Sequence, residues 1–205
     1  MEIEFALTLS PARLGFLQVR PMVVSNEEIT VTGEELHTES AVVISEKALG
    51  NGTLNIIRDI LYVKPQPFEA KHNPQIAGEL AAINRKLVAA RKPYMLIGFG
   101  RWGSSDPWLG IPVEWGQISG AKVIVEATTS AMDVELSQGS HFFHNLTSFR
   151  VLYFCVPHTS EFGINWEWLD QQRCMEETAF LRHVQLESPL SIKVDGRSGR
   201  GVCAS

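Results

Sequence analysis

Residues 73–99, NPQIAGELAAINRKLVAARKPYMLIGF, decide the fold class because they join an amphipathic helix directly to a buried strand. Asn73 is a good helix-capping residue, and Pro74 fits the first helical position, where its missing N–H costs nothing. One apolar stripe follows at helical spacing, formed by Ile76, Leu80, Ile83 and Leu87. Pro93 ends the helix, and the apolar run at residues 94–99 predicts a strand.

Further strands are predicted on both sides of this unit, wherever short runs are apolar and rich in β-branched residues. They cover residues 28–32, 41–45, 56–63, 121–126, 151–156, 180–186 and 190–194. Residues 137–149 and 166–174 predict two more helices, and residues 195–201 predict a glycine-rich turn. Strands outnumber helices and the helices lie between them, so the predicted class is mixed α and β (α+β).

The bulk composition excludes several classes of protein. The 205 residues carry a formal net charge of −5 and contain no basic run, so a general nucleic-acid binder is not expected. No apolar run is long enough to span a bilayer, and the acidic N-terminus does not resemble a secretory signal. The three cysteines, Cys155, Cys174 and Cys203, form no C-x-x-C pair and predict reduced thiols in a cytoplasmic protein.

The N-terminal segments 2–8 and 13–20 both alternate polar and apolar residues, which predicts two half-buried strands. Ser10 and Pro11 supply the turn between them, so the pair predicts a β-hairpin. Pro21 ends the second strand because it has no N–H to donate.

The hairpin strings EIEFAL and LGFLQVRPM resemble the closing hairpin of the ATP-grasp nucleotide-binding domain in phosphoenolpyruvate synthases and pyruvate phosphate dikinases. That family has an acidic I-E-[FW] strand followed by a strand ending in Q-x-R, which places Glu4, Gln18 and Arg20 at the matching positions. The resemblance implies that Glu4 ligates the Mg²⁺ of ATP, that Gln18 helps hold metal or phosphate, and that Arg20 contacts phosphate oxygens. These are suitable groups for magnesium and phosphate. The alternative is an ordinary Glu–Arg pair on a surface strand.

The resemblance covers only residues 2–22. The sequence lacks the rest of an ATP-grasp site and the family's phosphohistidine segment. The predicted domains are therefore a terminal ATP-grasp hairpin at 1–22 and an α/β domain of unassigned role at 23–205. We expect the C-terminal piece of a longer ATP-dependent phosphotransferase acting on pyruvate or a related acceptor, with Met1 not the native start. Alone, the chain is expected not to bind Mg²⁺ and ATP tightly.

Two other roles stay open for the whole chain, a non-catalytic accessory or interaction domain and a small-anion-binding domain. The expected partners are the remainder of the parent protein and a small phosphate or carboxylate ligand. A second copy of the chain is a further candidate, because an orphaned hairpin edge can pair with another copy.

The loop GFGRWGSSDPWLG follows the strand at 94–99 and could bind an anion. Glycines allow close backbone approach, and Arg101, Ser104 and Ser105 could hold a phosphate or carboxylate. The loop is neither a Walker sequence nor a dinucleotide fingerprint. In the structural alternative, Trp102 and Trp108 are core aromatics whose indole N–H groups find carbonyl partners, and Asp106 forms a turn.

His141 and His144 lie three residues apart on the predicted helix 137–149, so both can face one side. Asp133 or Glu135 could complete a metal site with them. The H-F-F-H string lacks the glutamate of the H-E-x-x-H zinc signature, which favours structural or solvent-facing histidines. Cys155 lies within an apolar strand, where burial should raise the pKa of its thiol and leave it unreactive.

Overall fold

The computed structural model describes residues 2–20, 28–66, 68–130 and 132–205, without the side chains of Glu2 and Arg20. The α-helices are α1 (Asn73–Ala89), α2 (Phe143–Ser148) and α3 (Trp166–Gln171). The strands are β1 (Glu2–Leu9), β2 (Ala12–Arg20), β3 (Ala41–Ser45), β4 (Lys47–Leu49), β5 (Gly52–Leu54), β6 (Asp59–Val63), β7 (Tyr94–Phe99), β8 (Arg101–Trp102), β9 (Gly110–Ile111), β10 (Ala121–Ala127), β11 (Leu152–Val156), β12 (Arg173–Glu177), β13 (Leu181–Gln185), β14 (Ser191–Asp195) and β15 (Arg200–Ala204). The class is mixed α+β, as predicted.

A seven-stranded mixed sheet forms the centre of the chain, in the order β12-β13-β6-β7-β10-β11-β4. Its four central strands, β6, β7, β10 and β11, run parallel, and the flanking strands β13, β12 and β4 run antiparallel to their neighbours. The central strands are buried on both faces, which explains why their sequences are continuous apolar runs without alternation.

Helix α1 covers one face of this sheet, the helical face, whereas a second sheet and α3, whose Trp166 packs on Tyr62 and Phe99, cover the other. On the helical face, Tyr94 of β7 donates a hydrogen bond from its hydroxyl to Asn84 of α1 at 2.9 Å. On the opposite face, Gly201 of β15 lies against the ring of Phe154 of β11. The second sheet is antiparallel, with the order β3-β15-β14-β5. The chain therefore forms layers around one large core.

Helix α1 confirms the predicted helix, but its first turn differs from the prediction. Asn73 is not the capping residue: it is the first helical residue, and His72 precedes it at the end of a short 3-10 turn. The Asn73 side chain is fully buried and donates from Nδ2 to the carbonyl of Pro107 at 2.7 Å. Asn73 thus tethers the glycine loop instead of capping the helix.

The strand predicted at residues 28–32 is wrong. The backbone N–H of Thr32 donates to the Glu35 carboxylate at 2.8 Å, and the N–H of Glu35 donates to the Thr32 hydroxyl at 3.3 Å. A short 3-10 turn, Glu35–His37, follows. These local hydrogen bonds satisfy backbone N–H groups that would otherwise pair with a neighbouring strand.

Two predicted helices are shorter than expected. Within 137–149, Gln138 and Gly139 have positive φ angles of 51° and 75°, so the chain turns there and α2 starts only at Phe143. Within 166–174, α3 ends at Gln171 and the chain continues as β12, which pairs with β13. Strand β15 occupies the end of the predicted turn at 195–201 and was also missed.

The predicted hairpin is confirmed as β1 and β2, paired antiparallel from Glu2 and Arg20 to Leu9 and Ala12, but its strands are exposed on both faces and not half-buried as predicted. Pro21 and the predicted domain boundary after residue 22 lie outside the described residues. Among the residues that the structure describes, no helix is long and apolar enough to cross a membrane.

Candidate functional site

A β-bulge in the hairpin determines which side chains share its polar face. Glu4 is paired with Gln18, but the next residue, Phe5, is paired with Phe16, so Leu17 is the extra residue. Without the bulge, Phe16 and Gln18 would lie on the same side of β2 because alternate residues do. The bulge instead places Gln18 beside Glu4 and keeps Phe16 beside Phe5. Bulges commonly redirect a side chain in this way.

The register of the hairpin brings two of its three predicted site residues together. Glu4 is exposed and Gln18 is half-buried, at directly paired positions. Arg20 is paired with Glu2, two residues along from the Glu4–Gln18 pair, but its side chain lies outside the described residues. A carboxylate and an amide oxygen are hard ligands of the kind that Mg²⁺ accepts. This pair therefore fits a metal whose other ligands are water and phosphate oxygens.

The glycine loop is a compact turn whose polar groups mostly bond to one another. The Ser104 hydroxyl is buried, donates to the carbonyl of Asp106 at 2.9 Å and accepts from the Asp106 N–H at 3.2 Å. The Asp106 carboxylate accepts from the N–H of Trp108 at 2.9 Å, which is the turn role predicted for it. Ser105 is exposed. The Ser104 hydroxyl is thus already used in holding the loop.

The Arg101 side chain bonds to the segment that follows β10 and not to its own loop. Its Nε donates to the backbone carbonyl of Glu135 at 2.6 Å. Its partner is therefore a backbone oxygen, neither an internal carboxylate nor the serines of its own loop.

The tryptophans of the loop have opposite environments. Trp102 is buried and donates its indole N–H to the carbonyl of Val125 at 2.9 Å, as the structural alternative requires. Trp108 is 67% exposed and is not a core residue. The backbone N–H of Trp102 donates to the buried carboxylate of Glu126 at 3.0 Å. Only half of the aromatic anchoring predicted for this loop is therefore present.

A cavity of about 190 Å³ lies at the carboxyl ends of β10 and β11, and Glu135, whose carbonyl accepts from Arg101, is part of its lining. Its polar lining comes from Lys47, Thr128, Asp133, Glu135, Gln138 and Cys155. Ligands of open sheets with parallel strands bind beyond the carboxyl ends of those strands. The cavity therefore combines a favourable place in the fold with groups of both charges.

Thr128 and His158 connect the two strand ends at the rim of this cavity. The hydroxyl of Thr128 accepts a hydrogen bond from the His158 N–H at 2.9 Å and lies 3.0 Å from His158 Nδ1. Asp133 Oδ1 lies 3.7 Å from the same ring nitrogen. An imidazole held between a hydroxyl and a carboxylate can accept or donate a proton, or bind a small polar ligand.

The thiol of Cys155, which lines the cavity, is held in its neutral form. Burial and the neighbouring Glu126 carboxylate raise the pKa of Cys155 to about 12. This confirms the inert buried thiol expected from the sequence. Cys155 can shape the cavity, but it is not an activated nucleophile.

The two histidines considered for metal binding lie on consecutive short elements. His141 lies in the 3-10 turn Ser140–Phe142 and His144 lies in α2, and both are exposed. In the described part of the chain, no three His, Cys, Asp or Glu residues are grouped so that they could hold a metal ion. Asp133 and Glu135 therefore do not complete a site with them.

The sequence contains a signal for the cavity that its motifs do not show. Thr128 follows the strand predicted at 121–126 and His158 follows the strand predicted at 151–156, each after one intervening residue. Polar residues after neighbouring parallel strands meet at one sheet edge. This signal can be interpreted only when the strand order is known, and the sequence pattern does not give that order.

Comparisons with protein-family models, with curated proteins and with solved structures found no match.

Proposed function

We propose that the polar face of the hairpin contributes Mg²⁺–ATP contacts to an ATP-dependent phosphotransferase that resembles phosphoenolpyruvate synthase and pyruvate phosphate dikinase. The observation that carries this proposal is the bulge at Leu17, which puts Gln18 directly across from Glu4. Two polar groups that lie side by side on separate strands can bind one ligand together. An ordinary surface hairpin would not need a bulge to bring them together. In this function the chain is the C-terminal region of the enzyme, and pyruvate or a related acceptor receives the phosphoryl group.

Each residue of the face has a distinct role in this proposal. The Glu4 carboxylate supplies a hard, negatively charged oxygen for the metal, and the Gln18 amide oxygen supplies a neutral one. Arg20 supplies a guanidinium that can bind two phosphate oxygens at once. When bound, Mg²⁺ neutralises the charge of the phosphates during transfer.

The hairpin holds too few groups to bind the nucleotide tightly. Mg²⁺ takes six ligands, and the face offers it only Glu4 and Gln18. The remaining phosphate and nucleotide contacts would come from the rest of the parent protein. We therefore expect the 205-residue chain to bind Mg²⁺–ATP only at millimolar concentration and not to hydrolyse it.

Paramagnetic broadening of the NMR spectrum tests this proposal despite the weak affinity. Mn²⁺ replaces Mg²⁺, and Mn²⁺–ATP is added at millimolar concentration to ¹⁵N-labelled chain. We expect selective broadening of the amides at residues 3–5 and 17–19, and its loss in Glu4→Gln. Glu39→Gln is the control, because Glu39 is an exposed carboxylate outside the hairpin. Broadening that is absent, uniform, or unchanged by Glu4→Gln contradicts the proposal.

The cavity at the carboxyl ends of β10 and β11 supports a second candidate function, a domain that binds a small carboxylate or phosphate. Within the described residues, the Lys47 side chain has no ion-pair partner, and it borders a space of about 190 Å³. That volume exceeds the roughly 10 to 15 Å³ that a cavity needs to hold one water molecule. It suits an anion of few atoms that takes the Lys47 ammonium as its counter-charge and bonds to Thr128 and Gln138.

Isothermal titration with inorganic phosphate and with acetate tests this second function. We expect millimolar binding of at least one anion, weakened roughly tenfold or more in Lys47→Met because a charged hydrogen bond is lost. Lys122→Met is the matched control, since Lys122 lies at the opposite end of β10 from the cavity, where it bonds to the carbonyl of Phe149. Equal affinities in the two variants would argue against the site.

A further inference from the structure

The face of the hairpin opposite Glu4 and Gln18 is apolar and exposed. Its side chains come from both strands and are 45% to 85% exposed: Ile3, Phe5, Leu7, Leu9, Leu14, Phe16 and Val19, with Leu17 at the bulge 69% exposed. No charged residue lies among the paired positions of this face between Ile3 and Val19, because the bulge sends Gln18 to the other side.

This surface is too large to remain in contact with water. The exposed side chains together present several hundred Å² of contiguous apolar surface, since each of them is about half exposed or more. The largest apolar patch of a typical monomer is about 300 to 600 Å². A two-stranded hairpin is also only marginally stable in water unless another layer covers it. The hairpin therefore needs a covering layer.

We propose that a second copy of this chain covers the apolar face, with the two hairpins packed face to face as a two-fold symmetric dimer. The area is compatible with this occupant, because it is of the same order as the roughly 800 Å² per partner of a standard stable interface. The face also matches itself, since each large residue is paired with another apolar residue across the hairpin, Phe5 with Phe16 for example. A two-fold axis through such a face places apolar groups on apolar groups.

The dimer leaves the proposed Mg²⁺–ATP face free. Glu4 and Gln18 lie on the opposite side of each hairpin, so both copies present them outward. The dimer does not depend on the proposed nucleotide function, and Glu4→Gln should leave it intact. Failure of one proposal is therefore distinguishable from failure of the other.

Sedimentation equilibrium of the 205-residue chain tests the dimer. We expect a mass of two chains for the wild type and a dissociation constant increased on the order of 100-fold in the double variant Phe5→Ser, Phe16→Ser. Ala6→Ser is the matched control, because Ala6 lies on the other face of the same strand and should leave the dimer unchanged. A wild-type monomer at high micromolar concentration overturns the proposal, whether the face stays bare or takes another partner.

Cross-linking gives a second test that does not depend on destabilising the hairpin. In a Cys174→Ser background, which removes the exposed thiol, a cysteine replaces either Leu7 or Thr8. Mild oxidation should give a covalent dimer with Leu7→Cys and little with Thr8→Cys, because these neighbours lie on opposite faces of β1. Equal yields from the two variants, or none from either, overturn the face-to-face arrangement.

Discussion

Glu126 receives a hydrogen bond from the backbone N–H of Trp102 at 3.0 Å, and this bond joins the glycine loop to the central sheet. Glu126 is completely buried in β10, where the sequence shows a single acidic residue within an apolar strand. Its carboxylate also accepts from the Ser137 hydroxyl at 2.6 Å and from the Gln138 N–H at 3.1 Å. One carboxylate thus fixes both segments that lead to the cavity.

Replacing Glu126 with glutamine should destabilise the fold by about 2 to 4 kcal/mol, because the amide NH₂ would face donors that now meet a carboxylate oxygen. Urea unfolding followed by circular dichroism measures the change. Glu135→Gln is the control, since the Glu135 side chain is exposed and should change stability little. If both variants unfold at the same urea concentration as the wild type, Glu126 is not the anchor of this loop.

Two glycine-to-alanine substitutions should have effects of opposite sign. A Cβ on Gly98 would overlap the indole of Trp102, whose N–H is bonded to the carbonyl of Val125, so Gly98→Ala should cost about 1 to 3 kcal/mol of unfolding free energy. Gly78 is exposed in α1 with nothing near its Cβ position, so Gly78→Ala should add about 0.5 to 1 kcal/mol. Thermal and urea unfolding of the pair check the signs, and a neutral Gly98→Ala would contradict the close packing of Trp102.

The sequence pattern predicts the buried elements well, because helix α1 and the central strands must hide apolar residues with a fixed spacing. It fails where local polar hydrogen bonds take the place of hydrogen bonds between strands, as at Thr32 and Glu35. The pattern also misses β12, whose residues are mostly exposed at a sheet edge and carry no apolar signal.

The candidate sites show the same limit. Alternation alone puts Phe16 and Gln18 on one side of β2, and only the strand register reveals the bulge that separates them. Thr128 and His158 are thirty residues apart in sequence and meet because β10 and β11 are parallel neighbours. Residue type predicts which groups can carry chemistry, whereas strand order decides which of them meet.

Acid should weaken the fold through Asp59, which is buried beside His183. Burial opposes the charged form, but the hydrogen bond from His183 and the positive charge of Lys92 outweigh it, so the pKa of Asp59 lies below its usual value. A lowered pKa means that the ionised carboxylate stabilises the fold above the unfolded value of about 3.9. This contribution is lost as the pH falls below that value and through the folded-state pKa.

The variant Asp59→Asn should therefore be less stable than the wild type near neutral pH, and the difference should shrink in acid. Urea unfolding across the acidic range measures both chains. Glu39→Gln is the control, because Glu39 is an exposed carboxylate away from Asp59 and His183. A difference between wild type and Asp59→Asn that stays constant down to strong acid would show that the charge of Asp59 does not stabilise the fold.

Thiol reactivity should distinguish the three cysteines in the native protein. Cys174 is exposed, whereas burial raises the pKa of Cys155 to about 12 and the pKa of Cys203 well above its usual value. With a pKa of about 12, a thiol is ionised on the order of one part in ten thousand at about pH 8. A disulfide reagent should then modify one thiol rapidly, and mass spectrometry should assign it to Cys174. Cys174→Ser should abolish the rapid phase, and rapid modification of Cys155 in that variant would mean that the strand around it opens readily.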